Sequence, residues 1–450
     1  MSAISVPTSS SPSATQAAAK GRIGLVVLAS VAAGLALGLM LVLAVFAGAD
    51  EPRITGSALV ALGAGFALLA IASAHFTSQP QRWALVPGLA SMFAGVVVCL
   101  MPSGRAFDIA GWIWPLLLAA LVVSSVRGAR RSLANWSRRA LLYPALAILS
   151  LIAVGGAAAT VMTATSSDPV PTRGHTYLVN GTRLYLNCTG TGSPTVVLFN
   201  GLGERTPSWA WVQANVSTAT RVCSFDRAGE GWSGGTATAQ DGPQMASDAH
   251  ALLAAAHVPG PYVVAGHSVG GTYALVYAEQ YPSQIAGVAL IDSSTPYQFD
   301  LPQYPGDYSM MKRAYALMPT VARTAMGEVM LRSGHGTLPP QARNVARNFA
   351  SSPRELRADR IELLQLPTIF DEAKALHTLN GKPLAVVSAS VGEMRGWTAA
   401  QNKLAQLSTN STHRTVAGAT HESLLEDRAF AGSASAAITH VVETSRSANR

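Results

Sequence analysis

Apolar residues are spread unevenly along this chain of 450 residues. Five stretches, near 23–49, 55–74, 83–101, 108–126 and 140–162, are apolar almost throughout. Each approaches or exceeds the roughly 20 residues that an α-helix needs to cross a bilayer. One such stretch could be a signal peptide or a buried core helix; five in succession predict an all-α transmembrane domain over 23–165. Gly34, Gly38, Gly63, Gly65, Gly155 and Gly156 fall inside these stretches and suit close helix approach in lipid. Trp83, Trp112, Trp114 and Trp136 lie at or near their ends, where aromatic belts form. The residues before them, 1–22, begin with a Ser/Ala/Thr/Pro-rich run and predict a disordered N-terminus.

Beyond a short linker, 166–174, the pattern changes to short β-type runs alternating with helical segments. Residues 176–179 and 183–188 flank Asn180-Gly181 and read as a hairpin. Buried strands are predicted at 195–199, 221–225, 262–265, 285–291 and 384–388, with a helix at 243–257 and a short strand at 413–416. A hairpin followed by strands alternating with helices predicts a mostly parallel sheet covered on both faces. Residues 295–380 are too many for a plain connection and read as a helical lid, with helices at 308–318, 321–331, 340–350 and 354–364. Met310, Met311, Met318, Met326 and Met330 would give that lid an adaptable apolar wall, or simply pack it onto the body.

Charge sharpens the division. The chain is 12% charged with a net charge of +8, against about 25% charged residues in an ordinary soluble domain. Ten of the 32 Lys and Arg but three of the 24 Asp and Glu precede residue 166. The excess therefore consists of arginines flanking apolar segments, which excludes nucleic acid as the partner. Lys20, Arg22, Arg82, Arg127, Arg130, Arg131, Arg138 and Arg139 all face one side if the N-terminus is cytoplasmic, as the positive-inside rule requires. An odd number of spans then makes the second domain extracytoplasmic. Asp50, Glu51 and Asp108 sit at segment ends, so the buried charges of an ion path are missing, and anchoring or a partner surface is the expected task of these helices.

Candidate chemistry centres on Gly266-His267-Ser268-Val269-Gly270-Gly271, between the 262–265 strand and a helical segment. A G-x-S-x-G in that position is a nucleophile elbow. The turn leaves no room for bulk beside the serine, forces it into a strained conformation, and aims helix N-terminal N–H groups at it. A Gly-rich turn bearing a surface serine is the plainer reading of the motif taken alone.

Context decides between them. With Asn200-Gly201 after the third strand, Asp226-Arg227-Ala228-Gly229 after the fourth, the elbow after the fifth and Gly418-Ala419-Thr420-His421 near the end, residues 175–446 resemble the α/β-hydrolase fold. The resemblance is strongest to its esterase/peptidase-like group with the D-R-x-G-x-G-x-S signature. It implies a mostly parallel eight-stranded sheet with a helical lid. Asn200 departs from that group, which usually has His there, and no Asp-containing motif follows the 384–388 strand.

The resemblance implies Ser268 as nucleophile, His421 as the base that takes its proton, and an acid that orients the imidazole. Asp292, ending the 285–291 strand, is the preferred acid, and Glu393 is the alternative at the family's commoner location. The N–H groups of Leu202 and Val269 would form the oxyanion hole. Asp226 and Arg227 would fix a turn, His267 would point away from the site, and His413 would pack or lie at the surface. Trp209 and Trp211 would line an acyl pocket or pack. In this sheet the strands bearing Cys188 and Cys223 are neighbours, so a disulfide is implied, as an exported domain permits. Cys99 reads as an apolar filler. Neither metal nor cofactor is expected. The implied function is a multi-pass, cell-membrane-anchored serine hydrolase that cleaves an ester or related acyl bond of a small-molecule or lipid-like substrate through an acyl-enzyme. A peptidase or amidase of the same fold, or a non-catalytic membrane scaffold, are the alternatives. Besides the substrate, the lipid bilayer is the expected partner; protein partners are left open.

Overall fold

A computed structural model describes residues 14–132, 142–165, 171, 174–235, 238–324, 326–327, 330 and 335–448. Its contacts divide the chain into two compact units, the break falling between Val161 and Met162.

In the first unit, helices α1 (Ala14–Met40, continued by a π-turn at Leu41–Val45), α2 (Glu51–Phe76), α3 (Leu85–Leu100), α4 (Trp114–Ser132) and α5 (Tyr143–Thr165) follow the apolar stretches. Five spans among the described residues are long and apolar enough to cross a membrane: Ile23–Val45, Glu51–Phe76, Arg82–Leu100, Ala106–Ser132 and Tyr143–Thr165. Helix α1 starts inside the stretch expected to be disordered, because Ala17-Ala18-Ala19 precedes the apolar run and alanine has the highest helix propensity. Helices α2 and α3 approach through glycines: a Cβ placed on Gly95 would stand 2.7 Å from the carbonyl oxygen of Gly56. Trp136, Arg138 and Arg139 lie outside the described residues, as does most of the 166–174 linker.

The second unit is built on one eight-stranded sheet of order β1-β2-β4-β3-β5-β6-β7-β8. Strands β1 (Gly174–Val179) and β2 (Thr182–Thr189) form the expected antiparallel hairpin, and β2 runs antiparallel to β4 (Val222–Phe225). Asn180 and Gly181 both take positive φ (49° and 81°), the combination a tight two-residue hairpin turn demands. Strands β3 (Thr195–Phe199), β5 (Tyr262–His267), β6 (Ile285–Ile291), β7 (Leu384–Ala389) and β8 (Ser411–Val416) complete the sheet in parallel with β4. Every residue of β3, β4, β5 and β7 is buried, which explains their near-continuous apolar sequences. Two cores result, one on each face of the sheet. Helices α6 (Ala210–Val216) and, at the C-terminus, Arg428–Ala448 pack together on one face. On the other lie α7 (Gly242–Ala255) and α8 (Val269–Gln280).

Between β6 and β7 the chain forms the expected helical insertion, in the helices α9 (Tyr304–Ala322), α10 (Pro340–Ala350) and α11 (Pro353–Glu372). The first and last run farther than the sequence suggests, past Pro319 and Pro367. Of the helix expected at 321–331, residues 321 and 322 close α9, whereas 325, 328, 329 and 331 lie outside the described residues. Of the lid methionines, Met311 reaches the core whereas Met310, Met326 and Met330 are exposed. No continuous methionine wall forms among these residues: Met310 and Met311, adjacent on α9, face solvent and core respectively.

Candidate active site

The sheet delivers chemistry at the carboxyl ends of its parallel strands, where open α/β sheets place their sites. Ser268 follows β5 directly and precedes the first turn of α8, with φ 55° and ψ −130°. Positive φ at a non-glycine residue is costly, and here the neighbouring chain enforces it. A Cβ on Gly266 would collide with the Gly270 carbonyl, and one on Gly270 with the Phe199 carbonyl. The Ser268 N–H donates to the Ile291 carbonyl at 3.2 Å, and its own carbonyl accepts from Ser294 N–H at 2.9 Å. The elbow is thereby tied to the end of β6.

That strand end carries Asp292, likewise at positive φ (40°). Its Oδ2 lies 2.6 Å from Nδ1 of His421, while Oδ1 accepts from Trp397 Nε1 at 2.9 Å and Ala389 N–H at 3.1 Å. Burial alone would raise its pKa, but the hydrogen bond and charge of His421, with the Trp397 bond, outweigh that and hold the carboxylate below its ordinary range. Glu393 pairs instead with Thr398 Oγ1 at 3.1 Å. Of the two candidate acids, the geometry joins only Asp292 to His421.

Ser268, Asp292 and His421 line one cavity of about 210 Å³ with Leu202 and Val269. Its wall is otherwise largely apolar, from Tyr304 and Met311 of α9, Leu366 of α11, Val391, Met394 and Trp397, with Ser294, Gln298 and Glu393 as further polar members. Two lid helices thus close over the strand ends. Trp209 and Trp211 are not among the lining residues. The Trp209 indole donates to Asn200 Oδ1 at 2.9 Å and that of Trp211 to the Thr337 carbonyl at 3.0 Å, so both pack.

Asn200 therefore holds a structural position: its Nδ2 also donates to the Phe225 carbonyl at 2.8 Å. Arg227 grips the same turn, donating to the carbonyls of Asn200 (2.7 Å) and Gly201 (3.1 Å). Asp226 accepts from Thr206 N–H at 2.8 Å and Trp232 N–H at 3.1 Å. Burial lifts its pKa to about 6 against those hydrogen bonds. His413 is bonded to Ser388 Oγ (2.8 Å) and Asn402 Oδ1 (2.7 Å), away from this cavity. Cys188 and Cys223 stand opposite each other on β2 and β4 with their sulfurs 2.09 Å apart.

One expectation is corrected. His267 does not point away from the site: its ring lies against that of His421, centroids 4.4 Å apart. It is bonded to Glu204, a residue that no motif in the sequence marks. The available signal is an acid three residues beyond Gly201 in an otherwise apolar turn, together with a histidine in a fully buried strand.

Residues 194–428 match the family model described as alpha/beta hydrolase fold. The chain is similar to an uncharacterised protein of Schizosaccharomyces pombe, 26% identical over 222 residues, 48% of this chain and 40% of that one. It is also similar to the pimeloyl-[acyl-carrier protein] methyl ester esterase of Chromobacterium violaceum, 33% identical over 111 residues, 25% and 41% of the two chains. The matches span less than half the length of these relatives. Among solved structures, the enol-lactonase of Burkholderia xenovorans is 20% identical with a TM-score of 0.45, covering 60% of this chain and all of that one. A substituted form of aCif is 13% identical with a TM-score of 0.52, covering 64% and 96%. With its family model spanning more than half of the residues and its eight-stranded sheet in place, the chain belongs to the alpha/beta hydrolase fold family.

Proposed function

We propose that the C-terminal unit is a serine hydrolase that cleaves an ester or related acyl bond, held at the cell membrane by the five N-terminal spans. The observation that carries this reading is the 2.6 Å contact between Asp292 and His421 Nδ1 in a cavity that also exposes a strained Ser268. With Nδ1 held by Asp292, the His421 tautomer presents Nε2 as the proton acceptor. Ser268 Oγ attacks the acyl carbon as His421 takes its proton. The carbonyl π electrons move onto oxygen, which the N–H groups of Val269 and Leu202 stabilise as the charge develops. His421 then protonates the leaving group, the acyl–oxygen bond to it breaks, and an acyl-Ser268 remains. Water, deprotonated by His421, reverses the sequence and releases the acid.

The small, largely apolar cavity suits a compact acyl group. The esterase named among the relatives supports an ester over an amide. The five spans and the arginine distribution support a cytoplasmic N-terminus with the hydrolase unit on the outer side.

The test is covalent labelling of the full-length protein, in detergent, by a fluorophosphonate. The parent is expected to take about one label per chain, and Ser268→Ala and His421→Ala none. Equal labelling of parent and Ser268→Ala would overturn the assignment of the nucleophile.

A further inference from the structure

His267 is fully occupied by two acceptors. Its Nδ1 faces the carboxylate of Glu204, and its Nε2 lies 3.0 Å from the carbonyl oxygen of His421. A neutral imidazole has one N–H, so it cannot donate to a carboxylate and a carbonyl at once. Both contacts are satisfied when the ring carries two protons. The ring is 1% exposed, and an imidazolium in such a place needs a counter-ion; Glu204 supplies it. Burial opposes the charge, yet Glu204, by charge and hydrogen bond, raises the His267 pKa to about 9. Against the burial cost, His267 holds Glu204 below its ordinary range. The second oxygen of Glu204 accepts from Gly201 N–H at 2.6 Å.

The pair therefore touches three loops that the chain supplies separately. Glu204 fixes the turn from which Leu202 projects, His267 is the residue before Ser268, and the His421 carbonyl belongs to the loop after β8. We infer that Glu204 and His267 form a positioning pair, in which the His267 Nε2–H holds the His421 backbone so that its imidazole meets Ser268. The inference rests on the serine-hydrolase reading above. Asp292 fixes the His421 ring from its Nδ1 side; His267 fixes the backbone from which that ring springs. Two anchors determine an orientation that one would leave free to swing.

Two substitutions separate the contributions. An asparagine amide nitrogen can take the place of Nδ1, and a glutamine amide nitrogen that of Nε2. His267→Asn keeps a donor for Glu204 and loses the tie to His421, whereas His267→Gln keeps the tie. The second-order rate of fluorophosphonate labelling is measured for the full-length protein from pH 5 to 9, with a thermal melt of each variant. His267→Asn is expected to label about tenfold or more slowly and His267→Gln within about threefold of the parent, because misplacement of a reacting group costs rate steeply.

Equal rate losses in the two variants would reduce His267 to packing and overturn the inference. So would parental rates in variants that melt with the parent. Should His267→Asn fail to fold, His267→Ala, which also lacks the tie, takes its place, and a labelling rate within about threefold of the parent overturns the inference. A parent that takes no label would overturn the serine-hydrolase reading itself. A labelled parent with indifferent variants would overturn only the role of the pair.

Discussion

At the scale of single residues, the site is a problem of charge kept in place by burial. Asp292 has both oxygens engaged, by His421 on one side and by Trp397 and Ala389 on the other. Because its pKa is held down, the carboxylate is ionised throughout the neutral range and available to the His421 ring. Asp292→Asn is expected to keep the fold yet favour the wrong His421 tautomer, lowering kcat on a chromogenic ester on the order of 10³-fold. Glu393→Gln, altering an exposed carboxylate at the cavity rim that accepts from Thr398 Oγ1 and is not joined to His421, is expected to stay within about threefold. Measuring both variants on one substrate distinguishes the two acids: a larger loss at Glu393 would reverse the assignment. Sequence alone leaves them as alternatives, because Asp292 and His421 are 129 residues apart and no local spacing records their meeting.

At the scale of elements, the lid is fastened to the body by buried ions as well as by apolar contact. From α11, Glu355 and Asp359 pair with Arg205 at 2.8 and 2.6 Å, and Glu362 with Arg227 at 2.7 Å. Glu230 sits between the two guanidiniums. Carboxylates outnumber arginines here, and burial, reinforced by Glu230 and Asp359 against the pull of Arg227, raises the Glu362 pKa to about 8 from an ordinary 4.5. Burial therefore favours the protonated form of Glu362 far more than water does. A raised carboxylate pKa means the folded state binds the proton more tightly than the unfolded one. The cost of ionising Glu362 is absent below the unfolded value, grows as pH rises, and is complete above about 8. Glu362→Gln, a neutral mimic of the protonated acid, should match the parent in thermal melts at pH 5. At pH 9 it should be the more stable, by about 1–3 kcal/mol. Equal stabilities at pH 9 would show that Glu362 ionises there without penalty. This network is invisible in sequence, where the same Arg, Glu and Asp read as ordinary solvated helix charges.

At the scale of the whole molecule, two features belong with the proposed outward-facing placement of the hydrolase unit. The first is topology: protease added to intact cells should remove the C-terminal unit and leave the spans protected, whereas protection of both would place that unit inside. The second is the Cys188–Cys223 bond, which joins adjacent strands and closes a separation of 35 residues. Restricting the unfolded chain by a loop of that length is worth about 2–4 kcal/mol. Replacing both cysteines with alanine should lower the Tm of the C-terminal unit by roughly 5–15 °C, while Cys99, a free thiol, can be replaced with little effect. An unchanged Tm would mean the bond adds nothing to stability.

The features of this protein that depend on neighbours along the chain are legible in its amino-acid sequence. Continuous apolarity marks the five spans, Asn180-Gly181 marks the hairpin, and glycines on either side of Ser268 mark the elbow, because each records a constraint acting over a few residues. The order of strands and turns is enough for the fold family. Tertiary structure alone decides the choice of Asp292 over Glu393 as the partner of His421, the presence of Glu204 and His267 beside it, and the burial of the lid acids against Arg205 and Arg227. These are meetings between side chains distant in sequence. A pattern of polar and apolar positions says which way a residue faces; only the packed fold says what it faces.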